Sequence, residues 1–329
     1  MSGLNSDLVR DSKLETRFIG GATHHATPVS DPALGRRRQL EDERWLREQR
    51  LGGGGYGTIW LERCTDGRKK GSLRAVKEIF KPTSDSSSTD SLDYGRELEA
   101  IAKFSNEKYA DYFVKSFGWF DNEHAVYIAM EYFEQGDLQK YLVAPFPEAE
   151  IQEIVSQLAD GLDFMHSNGF THRDLKPGNI LVLHRRPNWW LKIGDFGITK
   201  RVGTEATALR TQIGTTGYAA PEVQGFISLE DAAYSSAVDI WSLGEIAFRL
   251  ITNEPTFSNN RLLFDYITTG NFFPSNLLAQ KEVSMQCRQF IQDAMVVSPS
   301  KRPTASQVRS YSWISTSTVS HESIPPSDG

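Results

Sequence analysis

Asp174, Lys176 and Asn179 lie within the run His172-Arg173-Asp174-Leu175-Lys176-Pro177-Gly178-Asn179, and Asp195 follows in Asp195-Phe196-Gly197. A carboxylate such as Asp174 can accept a proton, and the oxygens of Asn179 and Asp195 are of the hard kind that Mg²⁺ prefers. Upstream, Leu51 to Ile59 reads LGGGGYGTI, which sets Gly52, Gly54 and Gly57 in a G-x-G-x-x-G register. Without side chains there, backbone amides can come close to phosphate oxygens. Together these are parts for handling a phosphate ester.

The glycines alone admit three readings. A dinucleotide fingerprint needs a helix directly after them, whereas Thr58-Ile59-Trp60-Leu61 continues as a strand. A flexible turn would use the same residues. A hairpin loop folded over phosphates fits better, because the apolar strand Arg74-Ala75-Val76-Lys77-Glu78-Ile79 follows with a lysine in it. An isolated lysine on a strand is usually a solvated charge.

The HRDLKPGN run followed by Asp195-Phe196-Gly197 resembles the catalytic loop and metal-binding triplet of eukaryotic protein kinases of the Ser/Thr type. That resemblance implies that Asp174 accepts the substrate hydroxyl's proton, that Lys176 neutralises the transferring γ-phosphoryl group, and that Asn179 and Asp195 hold Mg²⁺. It also implies that Lys77 neutralises the α and β phosphates of ATP. Glu97 is expected to orient that lysine, since Ile101 lies one turn on from Glu97, while charged Lys103 lies one turn on from Glu99. The segment AMEYFEQGDL resembles a kinase hinge, with Met130 as gatekeeper, the backbone of Glu131 and Phe133 against adenine, and Asp137 toward the ribose. Leu51, Ile59 and Ala75 complete the expected ATP-binding set.

The chain then runs to Ala220-Pro221-Glu222, resembling a complete activation segment. By that likeness Glu222 pairs with Arg302 of SPSKRPT. Thr211 sits where an activating phosphate is often carried, with Arg173 as its countercharge. Thr204, Thr207, Thr215 and Thr216 compete for that role, and Thr215 is expected to contact Asp174 and Lys176 instead. Asp239, in an apolar helix, resembles the buried acid that anchors the catalytic loop from below.

Positioning these groups takes two kinds of element. From Trp45 to about Tyr132, short strand-like runs with turn punctuation predict an antiparallel sheet with one helix, from about Asp93 to Phe104. From about Glu148 the apolar spacing becomes helical, through Ile151, Ile154, Leu158 and Leu162, with Asn168-Gly169 as a stop; further helices are expected at Ala237 to Ile251 and Cys287 to Val296. The expected fold is therefore α+β and bilobal, with an N-lobe at about 45–132 and a mainly α C-lobe at about 133–314. Residues 1–44 lack apolar periodicity and read as a flexible arm, with His24-His25 a solvated pair, and 315–329 as a disordered tail. The Trp189-Trp190 pair and His184-Arg185-Arg186 lengthen the stretch before Asp195, with a local partner surface as one reading.

At 329 residues and 39% hydrophobic content the chain can bury a full core. A net charge of −6 argues against nucleic acid as a partner. Two cysteines, Cys64 and Cys287, suggest free thiols in a reducing compartment. With no secretory signal or membrane-length apolar window, a cytoplasmic protein with access to the nucleus open is expected. The expected activity is transfer from Mg-ATP to Ser/Thr hydroxyls of protein substrates in signalling, with an upstream activating kinase as a further partner. An ATP-binding pseudokinase scaffold and a small-molecule kinase are the alternatives; the first is opposed by the presence of Lys77, Asp174, Asn179 and Asp195, the second by the activation segment.

Overall fold

The computed structural model describes residues 7–31, 33, 35–54, 57–81, 94–195, 217–227 and 235–315. They divide into two compact units, Met1–Glu134 and Gln135–Gly329.

The first unit opens with a short helix, α1 (Asp7–Asp11), and continues through strands β1 (Thr16–Ile19), β2 (Ala22–Asp31), β3 (Arg36–Gly54), β4 (Gly57–Asp66) and β5 (Leu73–Phe80). Helix α2 (Tyr94–Phe104) precedes the hairpin β6 (Ser116–Asp121) and β7 (Ala125–Met130). The strands form one antiparallel sheet in the order β1-β2-β3-β4-β5-β7-β6. Asn122 shapes the last turn, its side-chain oxygen accepting the N–H groups of His124 and Ala125 at 2.8 Å each.

This corrects the expectation of a flexible arm over residues 1–44. Residues 7–31 and much of 33–44 are ordered elements, and β2 pairs with β3 from Ala22↔Leu46 to Asp31↔Arg36. His25 is not solvated: it is 2% exposed and its ring lies 4.9 Å from that of Phe120. Apolar periodicity fails as a signal because the face these strands bury is largely polar, holding Thr23, His25, Glu43, Glu62 and Arg74. The chain entering β1 also pairs with β6, through Lys13↔Trp119, so the two edges of the sheet are drawn together at that end.

The second unit is mainly helical: α3 (Glu148–Ser167), α4 (Ala237–Thr252), α5 (Asn260–Thr269), α6 (Ser275–Gln280), α7 (Met285–Ala294), α8 (Ala305–Arg309) and α9 (Ser312–Ser315). Among the described residues its hairpin is β8 (Ile180–His184) with β9 (Trp190–Ile193). Helix α3 turns Ile151, Ile154, Val155, Leu158, Leu162 and Met165 into the core, at the spacing of one helical face. Helix α4 is buried almost all round, as the centre of a helical unit must be. The tail expectation falls on 316–329, outside the described residues. Sheet first and helices second is the α+β division that the sequence predicts.

Candidate active site

In the first unit, the glycine hairpin and Lys77 are set by strand register. Gly52, Ile59, Lys77 and Ile128 are successive cross-strand partners on β3, β4, β5 and β7. Directly opposed residues share a face of the sheet, and so do alternate residues of one strand, so Ile59, Ala75 and Lys77 all lie on one side. Gly57 closes the hairpin opposite Gly54 with φ +142°, and a Cβ there would fall 1.9 Å from the carbonyl oxygen of Glu78. No other residue fits that position. Leu51 is exposed at the mouth of this hairpin.

On α2, Leu98, Ala100, Ile101 and Phe104 are buried and Glu99 is exposed. The side chain of Glu97 lies outside the described residues. Met130 ends β7 opposite Ala75; beyond it Glu131 donates its backbone N–H to Lys115 at 3.0 Å, and Phe133 is buried.

In the second unit the acids are brought together by the β8–β9 hairpin. Asn179 precedes β8 and Asp195 follows β9 by two residues; the backbone N–H of Gly194 donates to the carbonyl of Asn179 at 2.9 Å. A long stretch of sequence is thereby folded back so that the residues flanking its two ends are neighbours. Asp174 accepts from Lys176 Nζ at 2.8 Å and from Asn179 Nδ2 at 3.3 Å, both on Oδ2, while Asn179 Nδ2 also donates to the Asp174 carbonyl at 2.8 Å. The nitrogen of Asn179 is thus committed to Asp174, which leaves the side-chain oxygen as the atom of that amide able to serve as a ligand. Asp137 caps the 3-10 turn Leu138–Tyr141 by accepting from Lys140 N at 3.3 Å, and its backbone bridges to Leu181 of β8.

Two backbone conformations mark the loop as held rather than relaxed. Arg173 and Asp195 lie in the left-handed region, at φ +66° and +47°, which costs non-glycine residues about 1–3 kcal/mol each. Asp239 supplies the restraint at Arg173. Its carboxylate is fully buried and accepts the backbone N–H of Arg173 at 2.7 Å, the backbone N–H of His172 at 2.8 Å and His166 Nε2 at 2.8 Å. Burial alone would raise this carboxyl, but the hydrogen bond and charge of His166, with the contribution of His172, hold it below the ordinary Asp value.

His172, read from sequence only as part of its motif, ties the two acids' segments together. Its Nε2 lies 3.1 Å from the Gly194 carbonyl, and its Nδ1 lies 3.3 Å from the backbone N of Asp174. A carbonyl only accepts, so the ring hydrogen is on Nε2 and Nδ1 accepts the Asp174 N–H. His166 was also missed, since a helix-end histidine gives no sequence sign of the acid it meets.

The Trp189-Trp190 pair is explained by packing. Trp189 is 2% exposed, donates Nε1 to Glu150 at 2.7 Å, and lies against the rings of Tyr141 and Phe146. Gln157 of α3 grips β9, donating to the Trp189 carbonyl at 2.7 Å and accepting from Leu191 N at 2.9 Å. Trp190, on the opposite face of the strand, is 40% exposed. Trp189 therefore seats the hairpin that carries Asp195.

Glu222 and Arg302 form a two-pronged pair with both side chains fully buried, and Arg302 also donates to the carbonyls of Val296, Val297 and Ala237. Thr204, Thr207, Thr211, Thr215, Thr216, Phe196 and Gly197 lie outside the described residues. Cys64 and Cys287 are free and buried. Among the described residues no helix is long and apolar enough to cross a membrane.

Residues 45–314 match the family model of the protein kinase domain. The chain belongs to the protein kinase family. This kinase domain is 34% identical over 213 residues to serine/threonine-protein kinase cds1 of Schizosaccharomyces pombe, covering 63% of the chain and 45% of that relative. It is 32% identical to a probable myosin light chain kinase of Dictyostelium discoideum, over 80% of the chain and 81% of the relative. A calcium/calmodulin-dependent protein kinase type 1 of Caenorhabditis briggsae is 32% identical over 82% of the chain and 72% of the relative. Among solved structures, that of Rad53 1-466 in complex with AMP-PNP superposes with a TM-score of 0.64 and 30% identity, covering 81% of this chain and 64% of that one. The chain thus spans less than half of cds1 and just under two thirds of the Rad53 chain. These likenesses make it a kinase domain of the Ser/Thr type.

Proposed function

We propose that the chain transfers the γ-phosphoryl group of Mg-ATP to Ser and Thr hydroxyls of protein substrates in cytoplasmic signalling, with 45–314 as the catalytic domain. The observation that carries this reading is Asp174 itself: one carboxylate oxygen is engaged by Lys176 and Asn179, on a loop clamped through Asp239 and His172. A carboxylate held in this way can orient a hydroxyl and take its proton as the oxygen attacks phosphorus.

Lys176, within 2.8 Å of that carboxylate, puts positive charge beside the transferring group. Asn179, whose oxygen is the atom able to serve as a ligand once its nitrogen is engaged by Asp174, and Asp195 fit a hard divalent cation and would hold Mg²⁺; such an ion neutralises charge on the phosphate oxygens. Lys77, on the face shared with Ile59 and Ala75, serves the α and β phosphates, with Glu97 orienting it and the glycine hairpin covering them. The AMP-PNP in the Rad53 structure supports the use of ATP. Glu131 and Phe133 then contact adenine through their backbone, Asp137 meets the ribose, and Thr211, once phosphorylated by an upstream kinase, is countered by Arg173.

The test is ³²P transfer from Mg-ATP to a generic Ser/Thr protein substrate by the wild type and by Asp174→Asn. Transfer by the first and loss in the second supports the reading. If neither transfers phosphate, even after treatment with an upstream kinase, while both bind Mg-ATP, the chain is a nucleotide-binding scaffold.

A further inference from the structure

Strand β5 has two faces. Ala75, Lys77 and Ile79 alternate with Arg74, Val76 and Glu78, so the residues backing Lys77 look away from it. That second face is covered by the chain N-terminal to the matched family region. Val76, Phe120, Ala125, Tyr127 and Ala129 form a cluster against which Leu14 packs, and the ring of Phe18 lies 5.9 Å from Phe120 and 5.7 Å from Tyr127.

At the centre of the covered face is Arg74, 2% exposed. It donates through Nε and Nη2 to Glu62, its cross-strand partner on β4, at 3.0 and 2.7 Å, and its guanidinium sits 4.1 Å above the Trp45 ring. Nη2 also meets His25 Nε2 at 2.9 Å. A guanidinium only donates, so Nε2 is the acceptor and the His25 hydrogen is on Nδ1. Nδ1 then donates to Thr16 Oγ1 at 2.8 Å, the Thr16 hydroxyl donates to the Leu14 carbonyl at 3.1 Å, and the Leu14 N–H donates to the Trp119 carbonyl at 2.7 Å. The hydrogens point one way from Arg74 through His25 and Thr16 to the Leu14 carbonyl, and a separate bond from the Leu14 N–H ties the same residue to β6. Such a chain is stronger as a set than its members singly, and each buried member leaves a stranded polar group if its neighbour is lost.

The same N-terminal segment reaches the other side of the unit. Val9 of α1 is buried and its carbonyl accepts Trp119 Nε1 at 2.7 Å, while α1 packs on α2, the helix of Glu97. Gly118 makes the approach feasible: at φ +119°, any Cβ would fall 2.6 Å from the Ser12 carbonyl oxygen.

We propose that residues Asp7 to Asp31 are a built-in brace for the strand of Lys77 and the helix of Glu97, and that His25 is a positioning residue for phosphoryl transfer, acting through Arg74. This rests on the reading that Lys77 meets the nucleotide phosphates. Arg74 lies on the same strand as Lys77, three residues away, so a strand that shifts when Arg74 loses its partner carries the ammonium with it. Transfer rates are sensitive to displacements of about 1 Å.

The experiment compares KM for Mg-ATP, KM for a peptide substrate, kcat and thermal midpoint in the full chain for wild type, His25→Ala, His25→Gln and Thr16→Val. His25→Ala raises the KM for Mg-ATP about fivefold with the peptide KM unchanged, whereas His25→Gln, whose side-chain oxygen can still accept from Arg74, stays within about twofold. Should His25→Ala fail to fold, Thr16→Val takes its place; it keeps the side-chain shape, removes the acceptor of the His25 hydrogen and raises the same KM about threefold. A fall in thermal midpoint in every folded variant with the KM for Mg-ATP unmoved overturns the brace, leaving a purely structural segment. Wild-type KM and kcat in Lys77→Ala would instead remove the phosphate role of Lys77, a failure read from a different variant.

Discussion

Asp239 reaches across from α4 to hold the backbone N–H of Arg173 at 2.7 Å, at a residue whose φ of +66° the chain would not choose unaided. The carboxylate accepts three N–H groups and is fully shielded from solvent. In Asp239→Asn, an amide that donates on one side faces this set of donors. Global stability is expected to fall by about 3–5 kcal/mol. Urea unfolding of the two proteins measures it, and an unchanged midpoint would mean that the loop is held by other contacts.

Asn179→Ala removes both the nitrogen that anchors Asp174 and the oxygen assigned to the cation. An expected drop in kcat of about 10²–10³ is accompanied by a higher Mg²⁺ concentration for half-maximal rate. Titrating the metal at fixed ATP checks both; a lower kcat with an unshifted metal midpoint would leave Asn179 only its role in holding Asp174.

The Glu222–Arg302 pair is fully buried and two-pronged, and lysine cannot reproduce the fork. Arg302→Lys is expected to cost about 3 kcal/mol, seen as a lower thermal midpoint by calorimetry. A loss under half that size would show the pair to be replaceable.

The two tryptophans at the start of β9 should separate cleanly. Trp189→Ala opens a buried cavity and frees the grip of α3, at about 3–5 kcal/mol, with a fall in transfer rate as the Asp195 hairpin loosens. Trp190→Ala, on the exposed face, is expected to change stability by no more than about 0.5 kcal/mol. Chemical denaturation of both variants, side by side, gives the contrast.

Burial, with the neighbouring charges of Arg74, Lys69 and His24, lowers the pKa of His25 to about 3, against an ordinary value of 6.5. The unfolded chain therefore takes up a proton below about pH 6.5 that the folded chain refuses until about pH 3. Stability from this group is complete above the higher value and is lost as pH falls between the two. Glu62 and Glu43 flank the same cations and soften the effect. The buried carboxyl of Glu245, raised above its ordinary value, works in the opposite sense. The wild type minus His25→Gln difference in unfolding free energy isolates the histidine, and should shrink by several kcal/mol from pH 7 to pH 4.

The catalytic loop was legible because its chemistry is local: eight consecutive residues carry the base, the lysine and the amide, and no packing is needed to recognise them. Helix α3 was legible for a different reason, since its buried face is apolar throughout and its stop is Asn168-Gly169. Strands β1 and β2 were not. Their inward residues include Thr16, Thr23 and His25, which are satisfied by partners as distant in sequence as Arg74, and a period-two apolar pattern cannot register a polar interior. The two tryptophans were not told apart in sequence for a simpler reason: adjacent residues at the start of an extended strand point to opposite faces, so one is core and the other surface.

The bond from Trp119 to the carbonyl of Val9 joins residues 110 positions apart. Helix α1 is therefore secured late, because its partner strand β6 does not yet exist when it leaves the ribosome. Until then α1 lacks its Trp119 partner and β1 has only the adjacent β2 beside it, and loop closure over so long a span is slow. The nascent chain must carry the β1 edge of the sheet, with Phe18 still lacking Phe120 and Tyr127, through most of the making of this unit, a window in which a chaperone would find its target.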